Sequence, residues 1–364
     1  MKINISEDFV SLRQLNKKSY INVIFPVTRL DDSTIHKLVN ILSCSDNETL
    51  NQIIVIDKTA DHKLTDLIFS FPEIRLKSYK LTILQRPQFE PIYKSQSRIS
   101  LQYNGWISQI HDDDEITGKI NLPTLSSQSY SYTPNVIAFY SKKKQRPLNM
   151  LAPARFNFSL VPKKVWDDFV ELVKLYEDNV PNSFDATLRL VTRFHTHTEL
   201  LSDYTYLYNM KHWSNKYNAN KALGLLAQEN FWDHNFNGYA EGIGQTLDSL
   251  LAFKYLSLKY DREFNLNMYK HLVTSKMNYF HYRLHKLFHS ALFKFSNFAL
   301  HSKFFINIDA PDILLLTYWR SGLELEIRGD SSRLDELLDS IRKSNPRMQH
   351  RISLWRHYLL TRKT

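Results

Sequence analysis

The sequence sets three aspartates and a glutamate in a row behind a histidine, His111-Asp112-Asp113-Asp114-Glu115. Adjacent carboxylates repel one another, and a divalent cation compensates them where they cannot all face open water. Alternate residues of an extended segment point to one side, so Asp112 and Asp114 can act together. Two carboxylates that leave room for phosphate oxygens are a common way of holding Mg2+ or Mn2+. An acidic turn in water, with no ion, is the alternative that the spacing leaves open. The other histidine groupings say less. His195 and His197 alternate in FHTHT with no acid or cysteine beside them and read as a polar strand face. His281, His285 and His289 recur every four residues among lysines and phenylalanines and read as a solvated or interface face of a helix.

An acidic tip is useful when the fold brings other polar groups to it. The first 125 residues alternate between apolar, β-branched runs and helical periodicity. Strands are expected over 20–27 (YINVIFPV), 52–57 (QIIVID), 80–84 (KLTIL) and 105–110 (GWISQI). Helices are expected over 31–44, 61–71 and 92–104. Strand and helix in alternation imply a mostly parallel, Rossmann-type α/β sheet with flanking helices. Such sheets bind ligands at the carboxyl ends of their strands, where residues 26–28, 57–61 and 112–114 would meet. The stretch 121–217 mixes strands (135–140, 156–161, 204–212) with helices at 163–175 and 183–191. Ser183 is a good N-cap type there, and Asp185 lies in the first turn. From 218 to 364 the pattern is mostly helical, with helices expected over 239–260, 268–302, 333–343 and 352–360. The expected division is therefore 1–217, with halves 1–120 and 121–217, followed by a helical region 218–364.

The chain of 364 residues has only 8 glycines, and none forms GxGxxG or the GxxxxGKS/T loop, which removes most support for folds that need those turns. Cys44 is the lone cysteine, so an intramolecular disulfide and a thiolate metal cluster are excluded and a reducing compartment is expected. No apolar stretch of signal-peptide length opens the chain, and no run approaches the ~20 residues that span a bilayer. A soluble cytoplasmic protein is the expectation.

The net charge of +10 is uneven. Residues 264–305 and 340–364 together hold 13 Lys/Arg and no acid, which leaves the rest of the chain at −3. Between 279 and 298, Tyr279, Phe280, Tyr282, Phe288, Phe293, Phe295 and Phe298 interleave with lysine and arginine. Basic-aromatic helices suit an anionic membrane surface, here the inner face of the cell membrane; a helical core is the other reading of these aromatics. Nucleic acid is not an expected partner, since no RNA-binding signature accompanies the charge. A basic membrane- or nucleic-acid-binding protein without catalysis is the competing reading for the whole chain.

Five short segments, in order, resemble those of the inverting GT-A-type glycosyltransferases, in particular the family 2 group that uses nucleotide-diphosphate sugars. INVIFPVTRLDD at 22–32 is similar to the opening strand with its P-T-Y-N-R end, through Pro26, Thr28 and Arg29. VIDKTAD at 55–61 resembles V-D-D-G-S-T-D, with Asp57 and Asp61 at the acidic places and Ile56 and Lys58 departing from the pattern. SRISLQYNGWISQIHDDDEI at 97–116 resembles the helix-strand-DxD stretch, through Arg98, Asp112 and Asp114. SFDATLRL at 183–190 resembles the segment that supplies the catalytic base, here Asp185. YLYNMKHWSN at 206–215 resembles the Y-R-x-H-x-x-S ending, with His212 at its histidine. The resemblance implies a nucleotide contacted by Pro26, Thr28, Arg29, Asp57, Asp61, Arg98 and Asp112. It implies Mn2+ or Mg2+ held by Asp112, Asp114 and His212, and Asp185 as the base in inverting transfer. Its partners would be a nucleotide-diphosphate sugar and a glycan or lipid-linked acceptor, as in surface polysaccharide synthesis.

Overall fold

The run Ile21–Val27 is buried at every position. An unbroken apolar strand of this kind belongs in the interior of a parallel sheet covered on both faces. The computed structural model describes residues 3–18, 20–28, 30, 32–44, 48–59, 63–72, 74, 80–120, 122, 127–141, 144–147, 159–177, 179–180, 184–209, 239–262, 335, 338–339, 342 and 348–360. These fall in two compact units, Met1–Lys211 and His212–Thr364.

In the first unit the elements are β1 (Asn4–Ser6), β2 (Val10–Leu12), β3 (Ile21–Val27), α1 (Asp32–Cys44), β4 (Leu50–Asp57), α2 (Leu64–Ser70), β5 (Leu81–Gln85), α3 (Ile92–Gln96), β6 (Ile99–Leu101) and β7 (Trp106–Gln109). They continue as β8 (Glu115–Gly118), β9 (Tyr130–Ser141), β10 (Lys144–Pro147), β11 (Val161–Pro162), α4 (Lys163–Leu175), α5 (Asp185–His195) and β12 (His197–Asn209). The central sheet runs β1-β5-β4-β3-β7-β11, and every neighbouring pair is parallel except β11 with β7. Val23, Phe25, Val27, Ile53, Val55 and Ile83 pack on Ile35, Leu38, Ile41 and Leu42 of α1 and on Leu64 and Ile68 of α2. Their alternates Ile24, Ile54, Ile56 and Leu84, on the opposite face by the strand period, are equally buried. Each such side chain contributes about 2 kcal/mol through burial.

Pro26 sits in a central strand, a place where a missing N–H is normally costly. The register explains it. Pro26 stays in register with Ile56 of β4, but its nitrogen, like the Ile24 carbonyl that accepts from Ile110 N, faces the β7 side, where the pairing ends at Ile24.

A second sheet, β10-β9-β12-β8, joins β12 to β8 antiparallel and to β9 parallel. The helix expected over 92–104 is shorter than its polar, breaker-free sequence implies. It stops at Gln96, and Ile99–Leu101 becomes a strand paired with β2, burying Ile99 and Leu101 against a partner far away in sequence. The last strand begins at His197 and runs through Asn209, longer than the expected 204–212 at its start. The helix at 163–175 has the expected bounds.

In the second unit, α6 (Tyr239–Lys259) and α7 (Gln349–Trp355) are followed by a π-helical turn, Arg356–Leu360. Buried Asp248 of α6 accepts hydrogen bonds from the Arg351 guanidinium and from Trp355 Nε1 at 3.0 Å, an ion pair satisfied inside the unit. The helix expected over 268–302, with its basic-aromatic stripe and its three histidines, lies outside the described residues, as does most of 333–343. No described helix is long and apolar enough to cross a membrane.

Candidate functional site

The carboxyl ends of β3, β4, β5 and β7 form one polar rim. Backbone bonds sew it together: Lys58 N donates to Val27 O at 2.9 Å, Arg86 N to Asp57 O at 2.9 Å, and Ile110 N to Ile24 O at 2.9 Å. Val27 is the register partner of Asp57, so the tips of β3 and β4 stand one strand spacing apart, about 4.8 Å. Asp57 is buried, and its Oδ1 accepts from Thr59 N at 3.0 Å and Thr59 Oγ1 at 2.6 Å, an Asx turn that holds the β4 tip.

Beside it, the Lys58 ammonium donates to the Glu90 carbonyl, and burial pulls its pKa down against the attraction of the Glu90 carboxylate. Glu90 takes two parallel bonds from Arg86, both 2.7 Å, one from Ser95 Oγ at 2.7 Å, and lies 3.6 Å from Arg98. Burial opposes its ionisation, but the bonds from Arg86 and Ser95 and the two guanidinium charges hold it below the ordinary carboxylate range.

At the tip of β7 the chain turns. Asp114 N donates to His111 O at 3.2 Å, closing a turn over 111–114. This differs from the extended segment expected there, and it breaks the alternation that would put Asp112 and Asp114 on one side. The two carboxylates take different partners. Asp112 Oδ2 accepts from Thr28 N at 2.9 Å and Thr28 Oγ1 at 2.8 Å, and the Lys37 ammonium donates to the Asp112 carbonyl. Asp114, only 1% exposed, accepts from Tyr206 Oη at 2.6 Å and from Asn209 N at 2.7 Å, both on β12. Tyr206 Oη in turn accepts from His111 N at 3.2 Å.

Burial, and then the neighbouring Asp113 charge, pushes the Asp114 pKa up to about 7, although Tyr206, Asn209 and Lys37 all favour its anion. Burial and the Asp114 charge raise Tyr206 well above the ordinary phenol range, so it remains a donor.

Ligand atoms of His111, Asp113 and Asp114 lie within 4.8 Å of one another. One imidazole nitrogen beside two carboxylate oxygens is a mixed donor set that a first-row divalent ion such as Mn2+ can accept, unlike the all-oxygen set typical of Ca2+. Three protein ligands leave positions open for oxygens of another molecule. The raised Asp114 pKa fits the same picture, because a buried carboxylate beside a second one is what a cation relieves.

Of the residues expected from sequence, Pro26, Thr28, Asp57, Asp112 and Asp114 come together on this rim. Arg98 stands behind it, bound to the Asp8 carbonyl at 3.2 Å and near Glu90. Asp185 opens α5, while its side chain, Arg29, Asp61 and His212 lie outside the described residues. The cation-type group contains His111 and Asp113 in place of Asp112. Sequence reasoning missed these two as ligands, together with Tyr206, Asn209, Lys37, Gln109 and the Lys58–Arg86–Glu90 group. The Tyr204, Tyr206 and Tyr208 alternation is the signal of a line of phenols on one strand face, of which Tyr204 and Tyr206 are buried and Tyr208 partly so.

No family model and no curated protein matches the sequence. Solved structures overlap it in part. The crystal structure of S. aureus TarS aligns over 64% of this chain and 43% of its own at 13% identity, with a TM-score of 0.33. TarS 1-349 aligns over 65% of this chain and 80% of its own at 15% identity and a TM-score of 0.34. GalNAc-T7, solved with UDP, GalNAc and Mn2+, aligns over 52% of this chain and 43% of its own at 8% identity and a TM-score of 0.37. The chain thus matches less than half the length of the first of these TarS structures and of the GalNAc-T7 structure.

Proposed function

We propose that this protein is a metal-dependent glycosyltransferase of GT-A type, moving a sugar from a nucleotide-diphosphate donor to a glycan or lipid-linked acceptor with inversion. One observation carries the reading. The His111–Asp114 turn joins a cation-type donor set to the tips of two parallel strands, which offer Thr28 and the buried Asp57. His111, Asp113 and Asp114 would hold Mn2+ or Mg2+, the imidazole counting against Mg2+, which is held by carboxylates, waters and phosphates. Asp112, carried on Thr28, and Asp57, held by Thr59, would face the nucleoside half of the donor together with Pro26. Arg29, Asp61 and Arg98 are the further nucleotide contacts proposed from the sequence, and His212 a further metal ligand.

The ion, when bound, would offset the charge that builds on the leaving diphosphate. Asp185, at the start of α5, is the proposed base that takes the proton of the attacking acceptor hydroxyl. The proposed setting is surface polysaccharide synthesis, with the chain peripheral on the inner face of the membrane.

The direct test is thermal unfolding with UDP, GDP or CDP, each with and without Mn2+. A ligand at a hundredfold its Kd stabilises by about 2.7 kcal/mol, so one nucleotide should raise Tm by several degrees, and only with the ion present. No shift with any of the three, or a shift indifferent to Mn2+, defeats the proposal. Asp185→Asn is expected to keep this shift while transfer falls by about 10²–10⁴-fold. Turnover close to wild type would place the base elsewhere.

A further inference from the structure

Gln109 ends β7 with a fully buried side chain that the cation site, taken alone, does not use. Its Nε2 lies 2.8 Å from His111 Nε2. Its Oε1 is buried with no hydrogen-bond partner among the described residues. Buried amides are normally satisfied, so an atom left over at this depth calls for a reason. The two residues stand two apart where the strand ends, which is the spacing that puts side chains on a common side.

An imidazole nitrogen engaged by a neighbour has no lone pair to give a cation. With Nε2 taken by Gln109, Nδ1 is the nitrogen of His111 that can ligate. Which proton the ring carries then depends on which end of the amide it meets. If the amide offers its NH2, Nε2 is the acceptor and the ring proton sits on Nδ1, which closes Nδ1 to a cation. If the amide offers its oxygen, Nε2–H donates and Nδ1 keeps its lone pair. The two ends differ little in shape, and either orientation leaves one amide atom over, so burial does not choose between them. The ring proton does.

We propose that Gln109 is a positioning residue for the cation site, and this rests on the site reading above. Its amide turns Oε1 to His111 Nε2–H when a divalent cation is bound, fixing the tautomer in which Nδ1 ligates beside Asp113 and Asp114. In the cation-free protein it turns its NH2 to Nε2 and leaves the proton on Nδ1. The ring gains and loses no net proton in the exchange: one leaves Nδ1 to solvent and one is taken up at Nε2.

The test uses the full chain labelled with 15N histidine, where long-range imidazole spectra distinguish the two tautomers. His111→Asn assigns the resonance. Zn2+ serves as the diamagnetic probe for the spectra and Mn2+ as the ion for calorimetry. In the wild type, His111 is expected as the Nδ1–H form without metal and as the Nε2–H form with Zn2+. Gln109→Leu should weaken Mn2+ binding by about 10–100-fold, the usual effect of losing a group that orients a ligand. Gln109→Glu, an acceptor only, should hold Nε2–H with or without metal and bind Mn2+ within a few-fold of wild type, which separates positioning from damage to the fold. Mn2+ binding unchanged in Gln109→Leu, or the Nδ1–H form persisting with Zn2+ in the wild type, overturns the proposal alone. A wild-type chain that takes up neither ion defeats the site reading, and this one with it.

Discussion

Asp114→Asn is expected to be more stable than the wild type in chelator at about pH 8, and to bind no Mn2+. The buried carboxylate has its pKa pushed up to about 7 from an ordinary 3.8. Below the lower value the carboxyl is neutral in both the folded and the unfolded chain. Between the two, the unfolded chain has released the proton and the folded chain has not, so stability falls as pH rises, by about 1.4 kcal/mol per unit. Above about pH 7 the loss is complete, on the order of 4 kcal/mol in the cation-free protein. Asparagine carries no charge to bury and keeps an oxygen for Asn209 N–H; its NH2 can donate to Tyr206 Oη once the phenol turns its own proton away, which offsets part of the gain. Thermal unfolding in chelator should therefore show the two proteins diverging from about pH 4 to pH 7 and running parallel above it, with the variant ahead.

Cation binding runs the other way, because a ligating carboxylate must be ionised. Wild-type Mn2+ affinity should fall about tenfold per unit below pH 7, with close to one proton released per ion at about pH 6, measurable by calorimetry in buffers of different ionisation enthalpy. Coincident stability profiles, or Mn2+ bound equally by Asp114→Asn, would remove this residue from the site.

Gly118→Ala is the second change with a large expected effect, and it acts at a distance from the acidic turn. Gly118 has φ +89°, in the left-handed region, and a Cβ there would stand 2.0 Å from the Asp203 carbonyl oxygen. The Asp203 oxygen is backbone and a Cβ is fixed by the backbone that carries it, so no side-chain rotation relieves the contact. The same carbonyl accepts from Lys119 N at 2.9 Å, a bond lost if Asp203 retreats. Gly118 pairs with Tyr204, and Tyr206, the donor to Asp114, is two residues on along the same strand. Steric overlap and an unfavourable φ together should cost about 2–5 kcal/mol. Displacing β12 should also loosen the Tyr206 and Asn209 bonds and weaken Mn2+ binding. Urea unfolding and calorimetry on the same preparation check both halves; wild-type stability would mean that β8 and β12 are not joined in this register.

How far the sequence reaches can be seen residue by residue. INVIFPV and QIIVID read as buried strands because a strand covered on both faces needs no polar alternation, and that pattern is local. Once they are parallel neighbours, chain direction alone brings Thr28, Asp57 and the residues after Gln109 to one end of the sheet. The aspartate row was visible as a possible cation site for the same reason: charge repulsion along a chain is legible from spacing.

What the row does was decided elsewhere. The Asp114 carboxylate is satisfied by Tyr206 and Asn209, 92 and 95 residues away, and Asp112 by Thr28, 84 residues away. The strand at Ile99–Leu101 likewise exists because β2 lies beside it. Periodicity reports which face of an element is apolar, a property of near neighbours in the chain. The partner of a buried polar atom is set by how separate sheets pack, and only the folded arrangement contains that information.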